Sequence, residues 1–246
     1  MPAYRREVRS LARKKNDQKN DKMLALKRRL LSHNSPKDPV TEQYRTIRTN
    51  IQFSRADGEI KSLVLTSSGP SEGKSTTAVN LATVYAQQGL NVLLIDGDLR
   101  KPTAHYTFRL ENHTGLTNVL TRQSPLGQAV QHTEVPNLYV LTSGPIPPNP
   151  SELLASKQMG EVLSEMKEQF DMVIFDTPPI LAVADAQILA NQVDASILIV
   201  SSSKTEKDAA LKAKELLTMA KSKLLGAVLN NRKIEKQNYY YYYGNN

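Results

Sequence analysis

The residues with the most explicit chemistry are Ser68-Gly69-Pro70-Ser71-Glu72-Gly73-Lys74-Ser75, followed by Thr76. Small and glycine residues let backbone N–H groups turn inward around a polyphosphate. A helix that starts where the loop ends adds the positive end of its dipole. In such a cradle Lys74 reaches the terminal phosphates and Ser75 offers a hydroxyl to Mg²⁺. Ser68 stands where the usual motif begins with glycine.

Two carboxylates belong with that loop. The apolar run Val92–Ile95 ends in Asp96, which opens Asp96-Gly97-Asp98-Leu99-Arg100, and Met172–Phe175 ends in Asp176. Strands of an open α/β sheet point their carboxyl ends at the ligand crevice, so both acids are expected beside the phosphate loop. One carboxylate near Mg²⁺ is general for such sites. Asp96 is also placed to accept a proton from an incoming hydroxyl. Asp98 and Arg100 either organise the site or form a surface salt bridge.

The elements that must position these groups are legible in outline. Asp38-Pro39 opens a helix carrying Tyr44, Ile47, Ile51 and Phe53, with proline at a tolerated first-turn position. Strands are expected near 62–66, 92–95, 138–141, 172–175, 195–200 and 224–229, and helices near 74–88, 150–169, 182–190 and 205–220. The strands lack polar alternation, as in a parallel sheet covered on both faces. The segment 144–150, Gly-Pro-Ile-Pro-Pro-Asn-Pro, reads as a stiff loop. The expected fold is α/β, a mainly parallel central sheet with helices on both faces. The domain spans 38–232, between a basic flexible arm at 1–37 and a tyrosine-rich tail at 233–246.

Composition narrows the partners. The 246 residues carry a net charge of +8. Residues 1–37 hold twelve Lys/Arg against Glu7, Asp17 and Asp21, so the rest is close to neutral. The basicity therefore belongs to the arm. Such an arm can lie on anionic lipid, hold nucleic acid, or remain a solvated extension; nucleic acid is not the partner expected. Cysteine is absent, which excludes disulfides and thiolate chemistry. No apolar run is long enough to cross a bilayer, and the first residues lack the apolar stretch of a secretory signal. A cytoplasmic protein is expected. The four histidines lack ligand spacing, and Ser151 has no hydrolytic partner pattern.

Taken together, residues 38–243 resemble the bacterial tyrosine kinases, whose chemistry sits on a P-loop NTPase fold. Leu93–Arg100 is similar to that family's second Walker motif, and Val173–Asp176 to its Walker B strand. Glu42, Arg45 and Arg48 match an element that builds ring-shaped oligomers, and Tyr239–Tyr243 stands where the family carries its tyrosine cluster. The resemblance implies an enzyme using ATP and Mg²⁺. Gly69, Pro70, Ser71, Glu72, Gly73, Lys74, Ser75 and Thr76 would hold the nucleotide. Ser75, Asp96 and Asp176 would hold the metal, with Lys74, Asp96, Asp98, Arg100 and Asp176 catalytic. The tyrosines Tyr239, Tyr240, Tyr241, Tyr242 and Tyr243 would be its own phosphoacceptors; a low-complexity or β-prone tail is the alternative. Asn230 matches the place where relatives read adenine, and is equally compatible with a turn.

The family's cytoplasmic form pairs with a membrane adaptor, a polysaccharide co-polymerase whose tail activates it, in capsule or exopolysaccharide production. That places the chain at the inner face of the membrane. Residues 1–22 read as an adaptor-like juxtamembrane segment. The competing assignment is a partitioning or septum-site ATPase switch. Those proteins carry a lysine four residues before the Gly of Gly-Lys, and here that position is Gly69.

Overall fold

The computed structural model describes residues 30–54 and 59–232. Its centre is a seven-stranded sheet: β1 (Ser62–Ser67), β2 (Val92–Asp96), β3 (Gln131–His132), β4 (Leu138–Leu141), β5 (Met172–Asp176), β6 (Ala195–Ser201) and β7 (Leu224–Asn230). The spatial order is β3-β4-β2-β5-β1-β6-β7. Every pairing is parallel except β3 with β4. The helices are α1 (Leu31–Asn34), α2 (Pro39–Phe53), α3 (Lys74–Ala86), α4 (Ala104–Phe108), α5 (Leu116–Leu120), α6 (Leu126–Ala129), α7 (Pro150–Leu154), α8 (Lys157–Gln169), α9 (Asp185–Gln192) and α10 (Lys207–Met219).

Strand residues alternate between two cores, which is why the runs read as uniformly apolar. Val64, Leu93, Ile95, Val173 and Phe175 face the layer of α5 to α10. Leu63, Leu65, Val92, Leu94, Met172 and Ile174 face the layer of α2 and α3. Both faces are covered over the central strands, which are therefore mainly apolar; the edge strand β7 is only half buried, with Leu229 54% exposed.

Four expectations shift. The fold begins before residue 38: Leu30 is buried, the Ser32 N–H donates to Asn80 Oδ1, and Gln87 donates to the Ser32 carbonyl. The last part of the basic segment is therefore packed on α3, while residues 1–29 lie outside the described residues. The single helix expected over 150–169 is two. Ser156 caps α8 by accepting from the Met159 N–H, and that side-chain bond competes with helix continuation. The short α4, α5 and α6, and the antiparallel β3, carry too few residues to show a period. Finally, Phe53 is 81% exposed, so it contributes nothing to the helix's buried face.

Asp194 ties the opposite end of the sheet together. Its Oδ2 accepts from the Lys61 and Ser62 N–H groups, both at 2.9 Å, and its Oδ1 from Lys167 Nζ at 2.6 Å. Burial alone would push this carboxyl up, but Lys167, the Lys61 N–H and Ser62 outweigh it and hold it below the usual range. A depressed native pKa stabilises the fold above the unfolded value of about 4, and that gain is lost as pH falls through the native value. Asp194→Ala should cost about 2 kcal/mol at pH 7. Denaturant melts should show the deficit shrinking at pH 3.

Candidate functional site

The phosphate loop leaves β1 at Ser67 and enters α3 at Lys74. Ser71 (φ 62°) and Gly73 (φ 96°) are both left-handed, the alternation by which successive N–H groups converge on an anion. Gly73 is required twice over. A Cβ there would lie 1.8 Å from Asn230 Nδ2, and its backbone angle disfavours any other residue. Gly73→Ala should destabilise the fold by about 2–3 kcal/mol through strain and displacement of Asn230. Calorimetry should show that loss together with weakened nucleotide binding.

The charged groups meet at the strand ends. Lys74 Nζ lies 3.3 Å from Asp176 Oδ1 and 3.2 Å from Ser75 Oγ. Asp96 pairs in register with Asp176 across β2 and β5, and it is fully buried. Its Oδ2 accepts from the Thr103 and Ala104 N–H groups at 2.7 and 2.8 Å. Burial, and then the neighbouring Asp176, push the Asp96 carboxyl up to about 7; the Ala104 and Thr103 N–H groups pull the other way without prevailing. A buried carboxylate that is costly to ionise is relieved by a divalent cation.

The residues fit Mg²⁺. The oxygens that would hold it, Asp96, Asp176 and the Ser75 hydroxyl, are hard donors. Among the described residues no cluster of three or more His, Cys, Asp or Glu could form a complete protein cage.

The remaining predicted residues divide. Asp98 Oδ1 accepts from the Lys101 N–H at 2.9 Å and the Arg100 N–H at 3.2 Å, ordering the turn after Asp96. Arg100 forks onto Asp185, Nε to Oδ2 at 2.8 Å and Nη2 to Oδ1 at 3.1 Å, and also donates to Ser151 Oγ. Asp185 is fully buried while the Arg100 side chain is 39% exposed, so the pair joins the surface to the interior. Glu72, inside the phosphate loop, is only 3% exposed and its carboxylate takes the hydroxyls of Ser68 and Thr205. Asn230 donates to the Glu72 carbonyl and accepts from the Asn231 N–H, so both ends of its amide are engaged within the chain. Pro70 contributes its carbonyl to Lys204 Nζ. On α2, Glu42 pairs with Arg45 while Arg48 donates to the Val84 carbonyl. Tyr239–Tyr243 lie outside the described residues.

Sequence reasoning missed Asp185, Ser151, Thr205 and Lys204 as supports of the site. None stands in a motif, and each reaches it from a distant segment. Only the strand-end rule carried any signal, because the loops after β4, β5 and β6 all open on the same edge of the sheet.

A parallel sheet with a glycine-bearing phosphate loop, a lysine at the loop's end and two strand-end carboxylates defines a P-loop nucleotide-binding protein. Residues 62–224 match a family model described as an AAA domain. The chain is 59% identical over 219 residues to the tyrosine-protein kinase YwqD of Bacillus subtilis (strain 168), covering 89% of this chain and 92% of that protein. Among solved structures, the chimerical protein CapA2B2 superposes with a TM-score of 0.81 at 44% identity, covering 83% of this chain and 90% of that one. The kinase domain of the Escherichia coli tyrosine kinase ETK gives 0.78 at 32% identity, covering 84% and 83%. The chain belongs to the bacterial tyrosine-protein kinases. It is an enzyme that phosphorylates protein tyrosine, and the family's chemistry calls for a nucleotide and a divalent metal.

Proposed function

We propose that the chain transfers the γ-phosphoryl group of Mg·ATP to tyrosine, first to Tyr239–Tyr243 of a neighbouring copy, within a ring-shaped homo-oligomer. The observation that carries the reading is Lys74, held between Ser75 and Asp176 next to the buried Asp96. The protein contributes position and charge, the main resources of phosphoryl transfer. Loop N–H groups between Gly69 and Thr76, Pro70 excepted, cradle the phosphates, and Lys74 neutralises the terminal one. Ser75, Asp96 and Asp176 would hold Mg²⁺, which supplies further charge neutralisation on the phosphates. The tyrosine oxygen bonds to the γ-phosphorus as the bridge to the β-phosphate breaks and ADP leaves.

A tyrosine hydroxyl with a pKa of about 10 must shed its proton, and Asp96 takes it. The two oxygens of that carboxylate are not equivalent. Oδ2 is occupied by two backbone donors, whereas among the described residues Oδ1 accepts only the Asp98 N–H at 3.3 Å. Oδ1 is thus the less engaged oxygen, the one left to face the metal and the incoming hydroxyl. Asp98 and Arg100 hold the loop that presents it.

The wider assignment follows the relatives. A kinase named with the same chemistry over nearly its whole length favours this reading over an ATPase switch, as does glycine at position 69. Glu42, Arg45 and Arg48 would form the ring contact, and Asn230 would border the adenine. Likeness to a chimerical CapA2B2 protein supports a membrane adaptor as partner and a place at the inner membrane face in capsule or exopolysaccharide production. Among the described residues no helix is long and apolar enough to cross a membrane. Incubation with Mg·ATP followed by phosphosite mapping tests the core of the reading. Phosphotyrosine in the tail supports it; ATP hydrolysis with unmodified tyrosine overturns it in favour of the switch.

A further inference from the structure

A negatively charged side chain inside a polyphosphate cradle is an electrostatic contradiction, and Glu72 is one. Its N–H belongs to the loop that faces the phosphates, so a free carboxylate would sit among like charges. The fold turns it the other way. The Ser68 hydroxyl lies 2.8 and 3.0 Å from its two oxygens, and Thr205 Oγ1 donates to Oε1 at 2.7 Å. Thr205 belongs to the segment between β6 and α10, remote in sequence from the loop it touches. Its hydroxyl is fixed in direction because the Ser201 N–H donates to the same oxygen at 2.8 Å, which leaves the proton for Glu72. The adjoining Lys204 Nζ donates to the Pro70 carbonyl at 2.5 Å, and Asn230 holds the Glu72 carbonyl from β7.

We propose that Thr205 is a positioning residue for the phosphate loop, holding the Glu72 carboxylate away from the phosphates of bound nucleotide. The proposal rests on the reading of this crevice as the Mg·ATP site. Ser68 alone cannot perform the task, since one hydroxyl proton serves a buried carboxylate that needs several donors. Without Thr205 the carboxylate is left short of donors in a buried place, and the nearest relief is rotation toward the solvated crevice. There it repels the polyphosphate and competes with it for the loop amides.

The test is a binding cycle on the full chain with a fluorescent N-methylanthraniloyl-ATP and Mg²⁺. Thr205→Val should weaken binding about tenfold, the scale of one charge-assisted hydrogen bond. Thr205→Ser, which keeps the hydroxyl, should restore binding to within about twofold of wild type, a small fraction of that loss. In a Glu72→Gln background, where no charge needs holding, Thr205→Val should cost less than about twofold, the mark of coupling between the two side chains. Thr205→Ala gives the same comparison without valine's extra methyl group. A merely structural threonine would lower the melting temperature equally in both backgrounds and leave no such coupling. Equal penalties in the wild-type and Glu72→Gln backgrounds, or a Thr205→Ser variant as weak as Thr205→Val, overturn the proposal. Failure of the wild-type chain to bind the nucleotide at all overturns the reading of the crevice and this inference with it.

Discussion

Lys74→Met should lower tyrosine phosphorylation by about a thousandfold while the folded chain persists, a loss on the scale of removing a transition-state charge partner. The magnitude follows from what surrounds the ammonium. It is nearly buried, with 13% of the side chain exposed, and lies against the 8%-exposed Asp176. Lys74 is thus a cation set directly against Asp176, the in-register neighbour of the buried Asp96. Methionine keeps the length and apolar stem but removes the charge that develops a bond to the terminal phosphate. Binding should weaken less than turnover, because loop amides and the helix dipole still hold the polyphosphate. The measurement is phosphate incorporation per subunit by mass spectrometry, with circular dichroism to confirm folding. Retention of more than about a tenth of wild-type incorporation, far above what loss of a transition-state partner leaves, would remove Lys74 from the chemistry.

That residue was readable from the sequence because its motif is local. The loop, the lysine and the serine are neighbours in the chain, and their geometry is set by backbone within eight residues. Asp96 and Asp176 were also legible, although 80 residues apart, since each ends an apolar run and parallel strands end at one edge. Arg100 shows where this stops. Its type and place in the motif promised a role, but its direction depends on Asp185, which arrives on α9 from 85 positions away. Glu72 fails for the same reason: membership of the loop says nothing about which way the side chain turns. Short helices such as α5 were invisible because five residues cannot display a period, and α5 is anchored by the Leu116 and Thr117 N–H groups, which donate to the Thr142 and Ser143 carbonyls. A Cβ on Gly115 would come within 2.3 Å of Gly144 N and Thr142 O, so the helix start fits only by close backbone approach. Local chemistry is written in the sequence; the aim of a side chain is written in the packing.

The same logic gives Asp96→Asn two opposite effects. In the chain without nucleotide, Asp96 is fully buried and its carboxyl is pushed up to about 7 by desolvation and by Asp176. In the unfolded chain it titrates near 4. Between those values the native state binds the extra proton, so wild-type stability falls as pH rises from about 4 to 7 and levels off above. A three-unit separation corresponds to a penalty of about 4 kcal/mol at pH 8. Asparagine removes the charge and keeps an acceptor for the Thr103 and Ala104 N–H groups, but its amide nitrogen meets the Asp98 N–H. That unfavourable contact takes back about 1–2 kcal/mol. The nucleotide-free variant should therefore melt about 5 °C above wild type at pH 8, with the order reversed near pH 4, where wild type no longer carries the penalty and the amide contact still costs the variant. Activity should move the other way, falling about a thousandfold, because the amide neither holds Mg²⁺ as a carboxylate does nor accepts the tyrosine proton. Melting scans at pH 4, 6 and 8, paired with phosphotyrosine yield, read both effects in one preparation. An Asn variant that is less stable at pH 8, or that still phosphorylates tyrosine, would show that Asp96 serves the fold rather than the chemistry.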